Sequence, residues 1–149
     1  MDGDGKWSRA SLRIFGDTLD PDMVGSVLGL EATPTHPKGE LFGPGQTAVR
    51  RESGWLLQSP LSKRSGMIQH LKWLLDALEP QREVIQGLSR KYRIDFFCGF
   101  ASLHGQGGFT LDSGTLSRVA DLGVPLALDL YPPGIEEIGD DKPLPIQSC

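Results

Sequence analysis

"SRASLRIFGDTLDPDMVGSVLGLE", residues 8–31, changes period partway along, and that change sets the fold class. Ala10, Leu12 and Ile14 alternate with Ser11, Arg13 and Phe15, the period of two of a half-buried strand. Beyond the strand, Asp20 stands where an N-cap belongs and Pro21 takes the first helical position. Met23, Val24, Val27 and Leu28 then recur at helical spacing as far as Gly29. A strand followed by a short capped helix predicts an α+β domain.

Working outward, "TAVRR" (47–51) and "GWLLQS" (54–59) read as two strands joined across Glu52, Ser53 and Gly54 as a hairpin. "SGMIQHLKWLLDALE" (65–79) places Ile68, Leu71, Leu75 and Leu78 on one stripe, the clearest helix of the chain. Pro80 breaks or restarts it, and Val84, Ile85 and Leu88 continue the apolar spacing. "RIDFFCGFA" (93–101) and "GGFTL" (107–111) read as strands. Asp112 caps a helix that ends before Gly123, and "VPLALDLY" (124–131) closes the pattern as a strand. The expected order is β-α-β-β-α-β-β-α-β, a mainly antiparallel sheet covered by helices in a sandwich related to ferredoxin-like arrangements. Residues 1–131 form one domain on this reading, and the Pro-rich acidic segment 132–149 is a mobile tail or a surface strap.

A chain of 149 residues can bury a core without disulfides, and 38% apolar with 23% charged residues is the balance of a soluble folded protein. A formal charge of −4 disfavours a nucleic-acid partner. No stretch reaches the ~20 apolar residues of a membrane span, and the amino terminus lacks the pattern of a secretory signal. Cys98, set in an apolar run, and Cys149 do not make a disulfide framework. Together these predict a reduced, cytoplasmic protein.

Leads to chemistry are few. Asp20, Asp22, Gly25 and Glu31 fall at calcium-loop positions, but Val24 stands where an oxygen ligand is needed, so the helix cap is the better reading. His36, His70 and His104 lack metal-ligand spacing, "HGQGGF" (104–109) lacks the residues of a phosphate loop, and no serine sits in a Gly-x-Ser-x-Gly elbow. No cofactor, metal or catalytic residue is indicated. Trp55 and Trp73 belong to core or core-edge packing, and Trp7 is the tryptophan expected to be partly exposed.

The succession "SLRIFGDTLDPDMVGSVLGLEATPTHPKGE" (11–40), "GWLLQS", "HLKWLLDALEPQREVI" (70–85) and "GGFTLDSGTLSRVADLGVPLALDLY" (107–131) resembles the bacterial family called domain of unknown function 4279. Its most specific parts are the Leu-Gly-Leu-Glu-x-Thr segment with Lys38 and Gly39 after it, the Trp55 strand, the Leu-Leu-x-x-Leu helix, and Asp129-x-Tyr131. The resemblance implies a small single-domain α+β protein and no established reaction. The chain departs from it in the inserted "LFGPGQ" (41–46) and in the carboxyl-terminal segment.

Two classes of function follow as expectations. One is a noncatalytic protein-binding module, in a concrete version an immunity or antitoxin-like protein. Its contacts would come from the loop "GLEATPTHPKGELFGPGQ" (29–46), through Glu31, Lys38 and Glu40, and from Glu136, Glu137, Asp140 and Asp141. The other is a small-ligand sensor or enzyme with a pocket between sheet and helices, drawing on Arg13, His104, Asp129 and Tyr131. The loop also admits the plainer reading of a connector. A homodimer through a sheet edge or the stripe around Trp73 is a further possibility on sequence grounds.

Overall fold

Strand β1 (Lys6–Gly16) runs through the middle of a five-stranded sheet, and everything else is arranged around it. The structure is a computed structural model, and it describes residues 5–33, 35–36, 38–103 and 106–131. Helix α1 (Pro21–Leu28) follows β1, then the two-residue strands β2 (Thr35–His36), β3 (Leu41–Phe42) and β4 (Ala48–Val49), and the longer β5 (Ser53–Gln58). Helix α2 (Met67–Leu78), a 3-10 turn (Glu79–Gln81) and α3 (Arg82–Ser89) lead to β6 (Arg93–Ser102), α4 (Ser113–Leu122) and β7 (Leu126–Leu130).

The sheet order is β2-β5-β1-β6-β7. β5 and β6 flank β1 antiparallel, with Leu12 opposite Leu57 on one side and Phe96 on the other. β7 lies parallel to β6, as a strand-helix-strand crossover through α4 requires. The protein is therefore α+β, with a mainly antiparallel sheet covered by helices.

One period explains where the core sits. Ala10, Leu12 and Ile14 of β1 are wholly buried, as are Val24 of α1, Leu71, Leu74, Leu75 and Leu78 of α2, Ile85 of α3 and Phe96 of β6. Leu122 of α4 joins the same cluster at 1% exposure, so the four described α-helices lie on one face of the sheet. Burial of apolar side chains at that one interface supplies the main driving force. The cap of α1 is as the sequence implied: the Asp20 carboxylate accepts from the Asp22 N–H at 3.0 Å, and Gly29 closes the helix with φ 68°, a conformation costly for a residue with a Cβ.

Several expectations are corrected. "TAVRR" does not form a hairpin with "GWLLQS": Ala48 and Val49 pair instead with Phe42 and Leu41, and β5 takes β2 as its outer neighbour. The inserted "LFGPGQ" supplies one side of that small hairpin, since Gly43 at φ 81° and Gly45 at φ 70° allow the chain to reverse. "GGFTL" forms no strand; residues 106–112 run irregularly into the Asp112 cap of α4. In α2 the buried stripe is Met67, His70, Leu71, Leu74, Leu75 and Leu78, while Ile68 is half-buried at its margin. Trp7 is 3% exposed instead of partly open, packed with Ala101 and Tyr131.

The connecting loop is bound to the sheet at its start. Thr33 N–H donates to the Leu56 carbonyl at 2.7 Å and its Oγ1 accepts from Gln58 N–H at 2.9 Å; Thr35 then pairs with Trp55 as β2.

Candidate functional site

The face of the sheet opposite the helices carries the densest group of interacting polar and aromatic side chains. Alternation along β1 sends Trp7, Arg9, Ser11, Arg13 and Phe15 to that face, and the register sets Asp95 opposite Arg13, Phe97 opposite Ser11 and Gly99 opposite Arg9. Arg13 donates to Asp95 through Nε at 2.9 Å and Nη2 at 2.7 Å, a bidentate pair. The same guanidinium lies 4.1 Å from the Phe97 ring centroid and 5.4 Å from that of Phe15. Arg93 stands 5.6 Å from Phe15 on its other side and donates to Glu52. Farther along, Arg9 lies 5.3 Å from the Trp7 ring, and Trp7 packs on Tyr131 with centroids 5.1 Å apart. None of the described helices covers these residues.

The sequence placed Arg13, His104, Asp129 and Tyr131 in a pocket between sheet and helices. Arg13 and Asp129 instead point to the helix-free face, because Arg13 is one step out of phase with the core position Leu12, and Asp129 with Leu128, which pairs with the buried Cys98 on the helix side. Asp129 is half-buried beside Gly99, and its Oδ2 has no hydrogen-bond partner among the described residues. Tyr131 sits at the edge between this face and an apolar groove, and His104 lies outside the described residues.

Of the loop residues, Lys38 pairs with Asp17 at 2.6 Å and Glu40 with Arg50 at 3.2 Å, so both charges are engaged locally. Glu31 is exposed and lines a groove of about 460 Å³ with Asp22, Gly25, Ser26 and Trp55. Glu136, Glu137, Asp140 and Asp141 lie outside the described residues. A second groove, about 470 Å³, runs between residues 107–111 and β7, lined by Phe100, Phe109, Leu111, Leu128, Leu130 and Tyr131.

Groups with catalytic potential are otherwise engaged. His70 is wholly buried and its Nδ1 lies 2.8 Å from Ser59 Oγ, which also accepts from Leu61 N–H. Burial lowers its pKa; the carbonyls of Ser65, Ser62 and Ser8 oppose that shift, although none meets Nε2 with hydrogen-bond geometry. The neutral ring thus holds the β5–α2 connection against the helix. Cys98 is buried, and desolvation followed by the Asp95 charge pushes its thiol up to about 12, which keeps it protonated. Among the described residues no three His, Cys, Asp or Glu side chains converge as a metal site, and no helix is long and apolar enough to cross a membrane.

The sequence did not single out the helix-free face. Its signal lay in β1 itself, where four of the five residues out of phase with the core, Trp7, Arg9, Arg13 and Phe15, are large aromatic or cationic side chains, with Ser11 the only small polar one. No curated protein and no solved structure matches the chain. The family model described as domain of unknown function (DUF4279) matches residues 6–133, and the chain belongs to that family.

Proposed function

We propose that this protein is a noncatalytic protein-binding module whose docking surface is the helix-free face of the sheet. One observation carries the reading: Arg13, Arg93, Phe15 and Phe97 form an interleaved arginine–aromatic array on a surface that none of the described helices covers. Arginine and aromatic side chains dominate binding energy at protein interfaces, because they bury large areas with few torsions to restrict. The pairing of Arg13 with Asp95 fixes the guanidinium beside the Phe97 ring, 4.1 Å from its centroid. Little ordering cost then remains for association.

A finer version makes the module an immunity or antitoxin-like inhibitor in a bacterial cytoplasm, with the charge of −4 steering it to a basic toxin site. The alternative is a small-ligand sensor or enzyme, supported by the apolar groove beside β7.

The test is affinity capture from the native host with three forms: wild type, the Phe15→Ala/Phe97→Ala double variant, and Lys72→Glu on an exposed helix position. Capture of one stoichiometric protein by wild type and Lys72→Glu, reduced at least tenfold by the double variant, supports the proposal. Equal capture by all three folded forms would move the interface elsewhere.

A further inference from the structure

We infer that the connection between β5 and α2, residues 59–66, is a pH-sensitive strap, which neutral His70 latches over the outer edge of β1 and protonated His70 releases. β5 covers that edge only as far as Ser11, opposite Gln58. Beyond it the strap takes over. Ser59 N–H donates to the Ala10 carbonyl at 3.0 Å, Ser8 N–H to the Lys63 carbonyl at 2.8 Å, and Arg64 Nη1 to the Lys6 carbonyl at 3.2 Å. Residues 59–66 belong to neither a strand nor a helix. A segment without regular structure, tied to its neighbour by a few bonds, opens at less cost than the helix or the sheet it joins.

The latch is Ser59 Oγ. It accepts from Leu61 N–H at 3.3 Å, so its hydroxyl proton goes to His70 Nδ1, 2.8 Å away, and the neutral ring carries its own proton on Nε2. That nitrogen is buried and has no hydrogen-bond partner among the described residues. Protonation places a second hydrogen on Nδ1. The Ser59 hydroxyl must then accept where it had donated, and a full charge stands in a site with 0% exposure. The charged residues of the elements packed around the ring are Lys6 of β1, Lys63 and Arg64 of the strap, Lys72 and Asp76 of α2, and Arg118 and Asp121 of α4. Arg9 and Arg13 of β1 and Asp95 of β6 face the other side of the sheet, and Cys98 of β6 is held as a neutral thiol. Among the described residues no carboxylate bonds to the ring, and Asp76 is taken by Arg118. Helix α2 cannot yield without uncovering Leu71, Leu74 and Leu75. The strap can, and its release wets the ring and frees Ser8 N–H and the Ala10 carbonyl on the edge of β1.

The test is amide hydrogen exchange of the full-length protein, followed by NMR from pH 7.5 to pH 5, with each rate divided by that of an unprotected amide at the same pH. Protection of Ser8, Ser59 and Leu61 should fall by about fivefold or more relative to that of Leu12 and Leu74. The fall should follow the titration of the His70 ring, read from its carbon-bound protons in the same samples. In His70→Gln, which has no titrating ring, the ratio of strap to core protection should stay constant over the range. Should that variant fail to fold, the coincidence of strap opening and ring titration in the wild type decides the matter by itself. Strap protection that holds to pH 5, whether or not the ring titrates, overturns the inference. So does a loss shared equally by strap and core, which is global unfolding alone. A strap that opens with falling pH in folded His70→Gln as it does in the wild type also overturns it, by assigning the response to another group.

Discussion

His70 shows how one side chain sets a pH response. It is wholly buried with Nδ1 on Ser59 Oγ, and burial lowers its pKa from the ordinary 6.5. Below that value the unfolded chain takes up a proton that the folded protein refuses, so stability present above about pH 6.5 is lost as pH falls toward the folded-state value. The slope cannot exceed about 1.4 kcal/mol per pH unit for a single group. Urea unfolding midpoints should fall between pH 6.5 and 5, and His70→Gln should flatten that fall while lowering stability at pH 7.5 by about 1–3 kcal/mol. Glu79, whose carboxyl is lowered by its bond to Arg118, and Asp112, lowered by the Thr115 N–H, act in a more acidic window. A wild-type midpoint unchanged from pH 7.5 to 5 would show that the ring accepts a proton without cost.

At the scale of elements, helices α2 and α4 are joined by one arginine. Arg118 donates through Nε and Nη2 to Glu79 at 2.8 Å each and through Nη2 to Asp76 at 2.7 Å, which raises its own pKa further. The carboxylates are substantially exposed, so solvent screens the pairs. Arg118→Ala is expected to cost about 0.5–1 kcal/mol at low salt and less at 0.5 M salt, whereas Leu75→Ala, on the facing helix α2 and wholly buried, should cost about 2–5 kcal/mol at both. Chemical denaturation at the two salt concentrations separates them. The contrast also explains which elements the sequence made legible. β1, α1 and α2 were readable because each buries one face against the same core, and burial writes a period into the chain. β2, β3 and β4 have two residues apiece and are defined by backbone pairing alone, and two residues are too few to leave a period. "GGFTL" had a strand's composition, but the chain passes from it into the Asp112 cap and pairs with no strand among the described residues.

For the whole molecule, the sidedness of the sheet decides what surface is offered. With the four described helices on one face, the sequence was enough to place the core and to set Arg13 out of phase with it, but not to say what the other face would do. The parallel pairing of β7 with β6 has a further consequence. It makes β7 an edge strand among the described residues, and its core-phase positions Leu128 and Leu130 run past the cover of α4, at 51% and 63% exposure. An edge strand with exposed leucines is a template for pairing with another chain. Leu128→Lys/Leu130→Lys should therefore reduce concentration-dependent association, read by light scattering across a concentration series. Each site already lies mostly in water, so the stability change should stay within about 0.5 kcal/mol per substitution. If the double lysine variant associates as wild type does, the edge is shielded in solution. If it unfolds, the two leucines contribute to the core more than their exposure implies.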